Sequence, residues 1–453
     1  MGLVIAGGTV VTPSGVGVAD VAIADGRIQR IGPDLQVDGA EVTDAAGLLV
    51  LPGAIDVHTH LRLPDADHPN RFARDTAAAA AGGTTTVLTF NNPGTGIGDD
   101  GARSPLAGLA EFRERTAGES EIDFGLCAVL TGQQTHPIGE LPALIEAGVP
   151  TFKAFMVYDF RLSEEDIDRA LRTAARHGGM LQLHCEDPAI IDPLVAAAVA
   201  RGQTACRFHA LTRPARAEAA ATRRAIEMAR RAQAPLYVVH LSCAEALEAV
   251  AEAKSRGESV YAETCPHYLV YTDGAYDEPD EAEVIKRVIS PPLRTPADVE
   301  ALWAGLRDGV LDVIGSDHVP DRLDTEKATP APPFPEISNG GPGVETLLSV
   351  VMSEGVAAGR LPLDRAVEVV AGMPARLFGL PSKGAIEVGR DADIVIWDPQ
   401  ARRTIRQTDL HHTSDYTPFE GLEVTGAPVR VLLRGKTPEA GGGRFLERHL
   451  VGA

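Results

Sequence analysis

The sequence predicts an α/β fold, a (β/α)8 TIM barrel with a small β-sandwich domain formed by both chain termini. Three observations predict it. Eight short β-rich runs alternate with helical stretches between residues 54 and 318, the pattern of repeated βα units and a parallel sheet. Both ends of the chain instead carry short β-like pieces broken by glycine and aspartate. Four histidines, His58, His60, His184 and His240, fall at the ends of the central runs.

In chain order, residues 1–53 hold β-like pieces at 3–5, 21–23 and 28–31. The eight runs follow at 54–60, 84–90, 122–130, 151–157, 180–186, 235–242, 259–266 and 312–318. Between them, segments rich in Ala, Glu and Arg, such as 163–177, 214–234 and 244–256, place apolar residues at helical spacing. A proline-rich loop at 320–342 follows the eighth run and is long for a structureless connection, which points to an active-site or binding loop, with disorder the alternative. Residues 384–434 return to β texture, in 392–397 and 429–433. The expected division is therefore a β domain from 1–53 and 380–453 and a barrel from 54–379.

A chain of 453 residues with 44% hydrophobic content is long enough for one large core plus an appended domain. The charge is 42 basic against 63 acidic side chains, net −21, without a cluster of Lys and Arg that could follow a phosphate backbone, so nucleic acid is not expected as a partner. No stretch is long enough to cross a bilayer, and residues 1–11 lack the features of a signal peptide. Cys127, Cys185, Cys206, Cys243 and Cys265 are odd in number and form no C-x-x-C pair, which suggests reduced thiols in a cytoplasmic protein.

The candidate chemistry begins with His58 and His60, which flank one residue at the end of the first run. Side chains alternate across a strand, so both imidazoles face one way and can hold one metal ion. In a barrel of this kind the active site lies at the C-terminal ends of the strands, where Lys153, His184, His240 and Asp317 also fall. Each has a structural alternative: a polar strand end, a satisfied core histidine, a turn cap. Their coincidence on one barrel face supports a shared site. Alternation sends Cys185, next to His184, into the helix layer. Lys153 is costly to bury unless it deprotonates or pairs. Burial and nearby cations lower its pKa, and a neutral amine can add carbon dioxide to give a carbamate able to bridge two metals; a structural ion pair is the alternative.

These residues sit in motifs that resemble the cyclic amidohydrolases of the amidohydrolase superfamily, the hydantoinases and dihydropyrimidinases most closely. The resemblance spans nearly the whole chain: Asp56-Val57-His58-Thr59-His60, Phe152-Lys153-Ala154-Phe155-Met156, Leu183-His184-Cys185-Glu186, Val239-His240-Leu241-Ser242, Ser290-Pro291-Pro292-Leu293-Arg294, Gly315-Ser316-Asp317-His318, Asn339-Gly340-Gly341-Pro342 and Gly389-Arg390-Asp391-Ala392-Asp393. It implies two divalent metal ions, usually zinc: one on His58, His60 and Asp317, the other on His184 and His240, with carboxylated Lys153 bridging them. It also implies a metal-bridging hydroxide as nucleophile, Asp317 as general base turned general acid, and Tyr158 as donor to the tetrahedral oxyanion. Ser290 and Asn339 would hold the cyclic amide. A homotetramer or dimer is implied as well.

Two features depart from the hydantoinase pattern. His60-Leu61-Arg62 and Asn91-Asn92-Pro93 resemble the dihydroorotases, whose arginine grips a substrate carboxylate. Arg62 and Asn92 thus become candidate substrate contacts, with a loop ion pair between Arg62 and Asp65 or Asp67 as the alternative. Tyr158, Asn339-Gly340-Gly341 and the segment His411-His412-Thr413-Ser414-Asp415-Tyr416 favour hydantoinase over dihydroorotase and allantoinase. All six ligand positions are filled, which argues against a non-catalytic scaffold relative. The expected activity is hydrolysis of a cyclic amide, opening a hydantoin or dihydropyrimidine ring to an N-carbamoyl amino acid, with dihydroorotase or allantoinase chemistry as the alternative.

Overall fold

The computed structural model describes residues 2–91, 104–135, 137–327 and 332–450. Five strands come first: β1 (Leu3–Thr12), β2 (Gly15–Ala24), β3 (Arg27–Gly32), β4 (Glu41–Asp44) and β5 (Leu49–Pro52). The barrel strands are β6 (Ala54–Thr59), β7 (Thr84–Phe90), β8 (Asp123–Val129), β9 (Thr151–Phe155), β10 (Met180–His184), β11 (Leu236–Val238), β12 (Val260–Thr264) and β13 (Val313–Ile314). Two long strands, β14 (Ile394–Thr404) and β15 (Glu423–Leu432), end the series.

β6 to β13 pair in consecutive order, and all eight lie within the runs predicted from sequence. The seam between first and last closes through a parallel bridge between Thr59 and His318, with the His60 amide donating to the His318 carbonyl at 2.8 Å. Burial explains the composition of these strands. Every residue of β6 to β10 is buried, as expected where helices cover the outside and side chains fill the inside. Intervening helices start and stop on local signals. Ser163 caps helix Glu164–His177 by accepting from the Asp166 amide, three acidic residues fill its first turn, and Gly178 ends it at φ 79°.

Alternation divides the core in two. Ala128, Phe152, Leu181, Leu183 and Val238 join the large cluster under the helices. Phe90, Cys127, Val129, Tyr237, Val239 and Val313 belong to a second cluster. Cys185 packs with the first, beside Thr222 of helix Ala215–Ala232, so it faces the helix layer as strand phase requires. All five cysteines are free and buried.

The terminal β domain is one seven-stranded sheet, ordered β15-β14-β5-β1-β2-β3 with β4 also pairing β1. Chain ends meet because β5 pairs antiparallel with β14, placing Leu51 opposite Val395. Within described residues 380–450, β14 and β15 lie in this sheet. After β15 the chain passes beneath the barrel, where the Leu446 amide donates to the Phe124 carbonyl at 2.7 Å. There fully buried Arg448 donates to the Leu126 carbonyl at 2.5 Å and to Thr151 Oγ1 at 3.0 Å. Among the described residues no helix is long and apolar enough to cross a membrane.

Candidate active site

The C-terminal ends of the barrel strands open into a cavity of about 520 Å³. His58, His60, Arg62, Lys153, Tyr158, His184, His240, Ser290, Asp317 and Asn339 all line it. Ten of the eleven candidate residues are therefore brought together, and Asn92 lies outside the described residues.

His58, His60 and Asp317 are closest. His58 Nε2 lies 3.0 Å and His60 Nε2 3.5 Å from Asp317 Oδ1. Their potential ligand atoms all lie within 4.8 Å of one another, a spacing suited to one metal ion. His184 and His240 form a second pair, with ring centroids 4.5 Å apart, and His240 is 5.4 Å from His58. Among the described residues the buried His240 Nδ1 has no hydrogen-bond partner. Lys153 Nζ stands 3.4 Å from His58 Nε2, over the rings of Phe90 and Phe155 at 4.7 and 5.3 Å. Among the described residues no carboxylate forms an ion pair with it, which leaves the structural ion pair without a partner.

Electrostatics suit a cation in this place. Burial lowers His60 and His184 below the usual imidazole range and His240 well below it, so their nitrogen lone pairs are free. Burial opposes charge on Asp317, but His58, a hydrogen bond from His60, and His240 hold it well below the usual carboxylate range. Burial likewise opposes charge on His58, but the Glu263 and Asp317 carboxylates together outweigh it and raise the imidazole. Lys153 is lowered to about 8 by burial.

Beneath these residues lies a layer that strand phase alone did not reveal. Glu263, in β12, accepts from His58 Nδ1, from the Tyr237 hydroxyl at 2.8 Å and from the His240 amide at 3.2 Å. It turns His58 Nε2 toward the cavity, as carboxylates behind metal-binding histidines do. Glu186 accepts from His184 Nε2 at 2.7 Å and from Arg213 at 2.5 Å, which leaves His184 Nδ1 for the site. Burial would raise Glu186, yet Arg213, His184 and Arg294 together bring it down to about 2. Asp56 Oδ1 accepts from the His58 and Ser316 amides at 3.2 and 3.0 Å, tying β6 to the residues after β13. The sequence signal for Glu263 was a carboxylate inside a barrel strand, and for Glu186 a carboxylate two residues past His184.

The backbone is left-handed at three cavity residues: Tyr158 at φ 75°, His240 at 38° and Asp317 at 50°. Such geometry in non-glycine residues costs energy and concentrates at functional sites. At His240 its effect is plain. Tyr237 reaches Glu263 inside the barrel while Val238 joins the helix-side cluster. Strict alternation would send His240 outward with Val238, and the positive φ brings its ring to His184 instead. Gly315 is required for a related reason, since a Cβ there would stand 2.9 Å from His58 Cβ and 3.1 Å from Glu263 Oε2.

Substrate-facing residues line the wall above. The Tyr158 hydroxyl interacts with Ser290 and Asn339, and burial raises its pKa. Ser290 Oγ lies 3.2 Å from His209 Nε2, and buried Asn339 Oδ1 has no partner among the described residues. The loop carrying Asn339 is held from two sides: Lys327 donates to the Val288 and Ser338 carbonyls at 2.8 and 2.7 Å, and Tyr416 to the Gly340 carbonyl at 3.2 Å. Arg62 pairs with Asp321 at 2.6 Å and with Glu326. Neither predicted partner takes part, because Asp65 pairs with Arg71 at 2.7 Å and Asp67 forms no ion pair with Arg62 among the described residues.

A barrel with a His-His-Asp cluster at the C-terminal ends of its strands defines a class, and the chain belongs to the amidohydrolase family, whose model matches residues 49–437. It is 41% identical to the D-hydantoinase of Ralstonia pickettii, with 99% of each chain covered. It is 37% identical to a D-phenylhydantoinase of Escherichia coli, over 99% of this chain and 98% of the relative. Among solved structures, the dihydropyrimidinase from Brevibacillus agri superposes with a TM-score of 0.93 at 38% identity, covering both chains fully.

Proposed function

We propose that the protein hydrolyses a carbon–nitrogen amide bond of a cyclic amide, opening a hydantoin or dihydropyrimidine ring to an N-carbamoyl amino acid. The observation that carries this reading is the convergence of five potential metal ligands and a buried lysine in one cavity whose opposite wall offers Tyr158, Ser290 and Asn339. Relatives named hydantoinase and dihydropyrimidinase support it.

His58, His60 and Asp317 would hold one divalent ion, and His184 and His240 a second, with carboxylated Lys153 between them. The lowered imidazoles of His60, His184 and His240, the ionised Asp317 and the His240 Nδ1 without a partner among the described residues fit that assignment. Zinc would supply Lewis acidity and lower the pKa of water at the site. Because burial brings Lys153 down to about 8, more of its amine is neutral than in an exposed lysine. That nitrogen attacks the carbon of carbon dioxide, a C–N bond forms, and the released proton leaves a carbamate anion. Asp317, kept ionised, takes a proton from the attacking water and delivers it to the ring nitrogen as the ring C–N bond breaks. Tyr158 donates to the oxygen that gains charge in the tetrahedral transition state. Ser290 and Asn339 hold the ring amide. The reading includes a homotetramer or dimer working in the cytoplasm.

Metal-replete protein assayed against hydantoin, dihydrouracil, allantoin and dihydroorotate tests this. Ring opening of hydantoin or dihydrouracil is the expected result. Turnover of none of the four would overturn it.

A further inference from the structure

Arg62 is the residue that would adapt this site to a carboxylated ring, and its surroundings argue the other way. Its guanidinium lines the cavity with a side chain 22% exposed. Both terminal nitrogens are already engaged, Nη2 with Asp321 and Nη1 with Glu326. A substrate carboxylate needs that same fork for a bidentate grip. Glu326 is itself fixed, because its other oxygen accepts from the Arg322 amide at 3.1 Å and from Thr325 Oγ1 at 2.5 Å.

Asp321 supplies a second, independent observation. It is fully buried and lines the same cavity, and among the described residues its Oδ2 has no hydrogen-bond partner. A buried carboxylate oxygen without a donor is costly, and a donor arriving with the substrate would satisfy it. Nearby Lys327 faces Asp321, but its ammonium donates to the Val288 and Ser338 carbonyls. Exposed Asp159 adds another carboxylate to the cavity lining. The wall at Arg62 therefore presents one guanidinium whose charge is more than matched by carboxylates.

We infer that this wall is a selectivity element which accepts ring substituents bearing a hydrogen-bond donor and rejects those bearing a carboxylate. The inference rests on the proposed ring-opening activity and names its substrate class. Asp321 would accept the donor, and Glu326 would occupy the part of Arg62 that an anionic substituent needs.

Two nearly isosteric hydantoins test it, one with a 5-(2-carbamoylethyl) and one with a 5-(2-carboxyethyl) group, assayed with the metal-replete enzyme. The amide is expected to exceed the acid roughly 30-fold in kcat/KM, the scale of one unfavourable charge contact. In Glu326→Gln and in Asp321→Asn the ratio is expected to narrow by about tenfold as the repulsive charge is removed. Should the buried Asp321→Asn protein fail to fold, the partly exposed Glu326→Gln still decides the matter. Equal turnover of both rings by the unmodified enzyme, or an unchanged ratio in Glu326→Gln, would overturn the inference and leave the proposed function standing. Opening of neither ring, nor of hydantoin itself, would overturn both.

Discussion

Removing the carboxylate of Glu263 without changing its shape should weaken metal retention although Glu263 does not line the cavity. Three donors converge on it: His58 Nδ1, the Tyr237 hydroxyl and the His240 amide. All lie in a region where Glu263, His58 and Tyr237 have no exposed surface. In Glu263→Gln the amide oxygen can still serve His58 and His240, and the amide nitrogen can face a Tyr237 hydroxyl rotated to accept. What is lost is the charge that makes His58 a stronger base and fixes its tautomer. Metal affinity should fall about tenfold, the lower end for such supporting partners and close to 1.4 kcal/mol. In Glu263→Leu all three donors lose their acceptor. The expected loss is then about 100-fold in affinity. Metal-free stability should fall by roughly 3 kcal/mol or more, from unsatisfied buried donors. Metal content after equilibration against graded chelator gives the affinities, and denaturant titration of the metal-free proteins gives the stabilities. Glu263→Gln retaining metal as tightly as the unmodified protein would refute the reasoning, since His58 would then need no oriented carboxylate.

Three further outcomes can be checked. Lys153→Ala should lose bound metal and turnover together, with small carboxylates restoring part of both; unchanged metal content would remove the lysine from the site. Tyr158→Phe should lower kcat by about 10²–10³, the usual loss for one oxyanion donor, with metal content unaltered; a kcat within a few-fold of the original would show that another group stabilises the oxyanion. Lys327, fully buried, is lowered to about 8 from its ordinary 10.5, with burial the main cause. Its protonated form therefore costs stability below pH 8, and that cost disappears as pH rises from 8 to 10.5, where the unfolded chain holds the extra proton. Stability should climb in this window by up to about 1.4 kcal/mol per pH unit from this group. Lys327→Met should lack that contribution, and parallel denaturation profiles for the two proteins between pH 8 and 10.5 would show that Lys327 does not titrate there.

Much of the fold was legible because parallel barrel strands are buried on both faces and read as short apolar runs bounded by helical segments. Even β11 and β13, reduced to Leu236–Val238 and Val313–Ile314, fall inside their predicted runs. They are short because the chain leaves strand geometry to place His240 and Asp317 at positive φ. For the same reason the sequence could locate His240 near the site but could not show how it reaches it. Strand phase worked for Cys185 and for the paired His58 and His60, although the register of β6 against β7 shifts between Asp56 and Thr59. It failed where the backbone turns.

The sequence by itself determined the βα repeat, the β texture of both termini and the set of residues at the strand ends, because periodicity and motif are local properties. Tertiary structure alone decided which groups support them. Glu263 stands 205 residues from His58, and Asp321 stands 259 residues from Arg62. Such pairings depend on barrel closure and loop packing, which bring opposite charges together at separations that no local pattern records. Arg62 illustrates the division: the sequence placed a guanidinium at the site, and the fold supplied the carboxylates that already engage it.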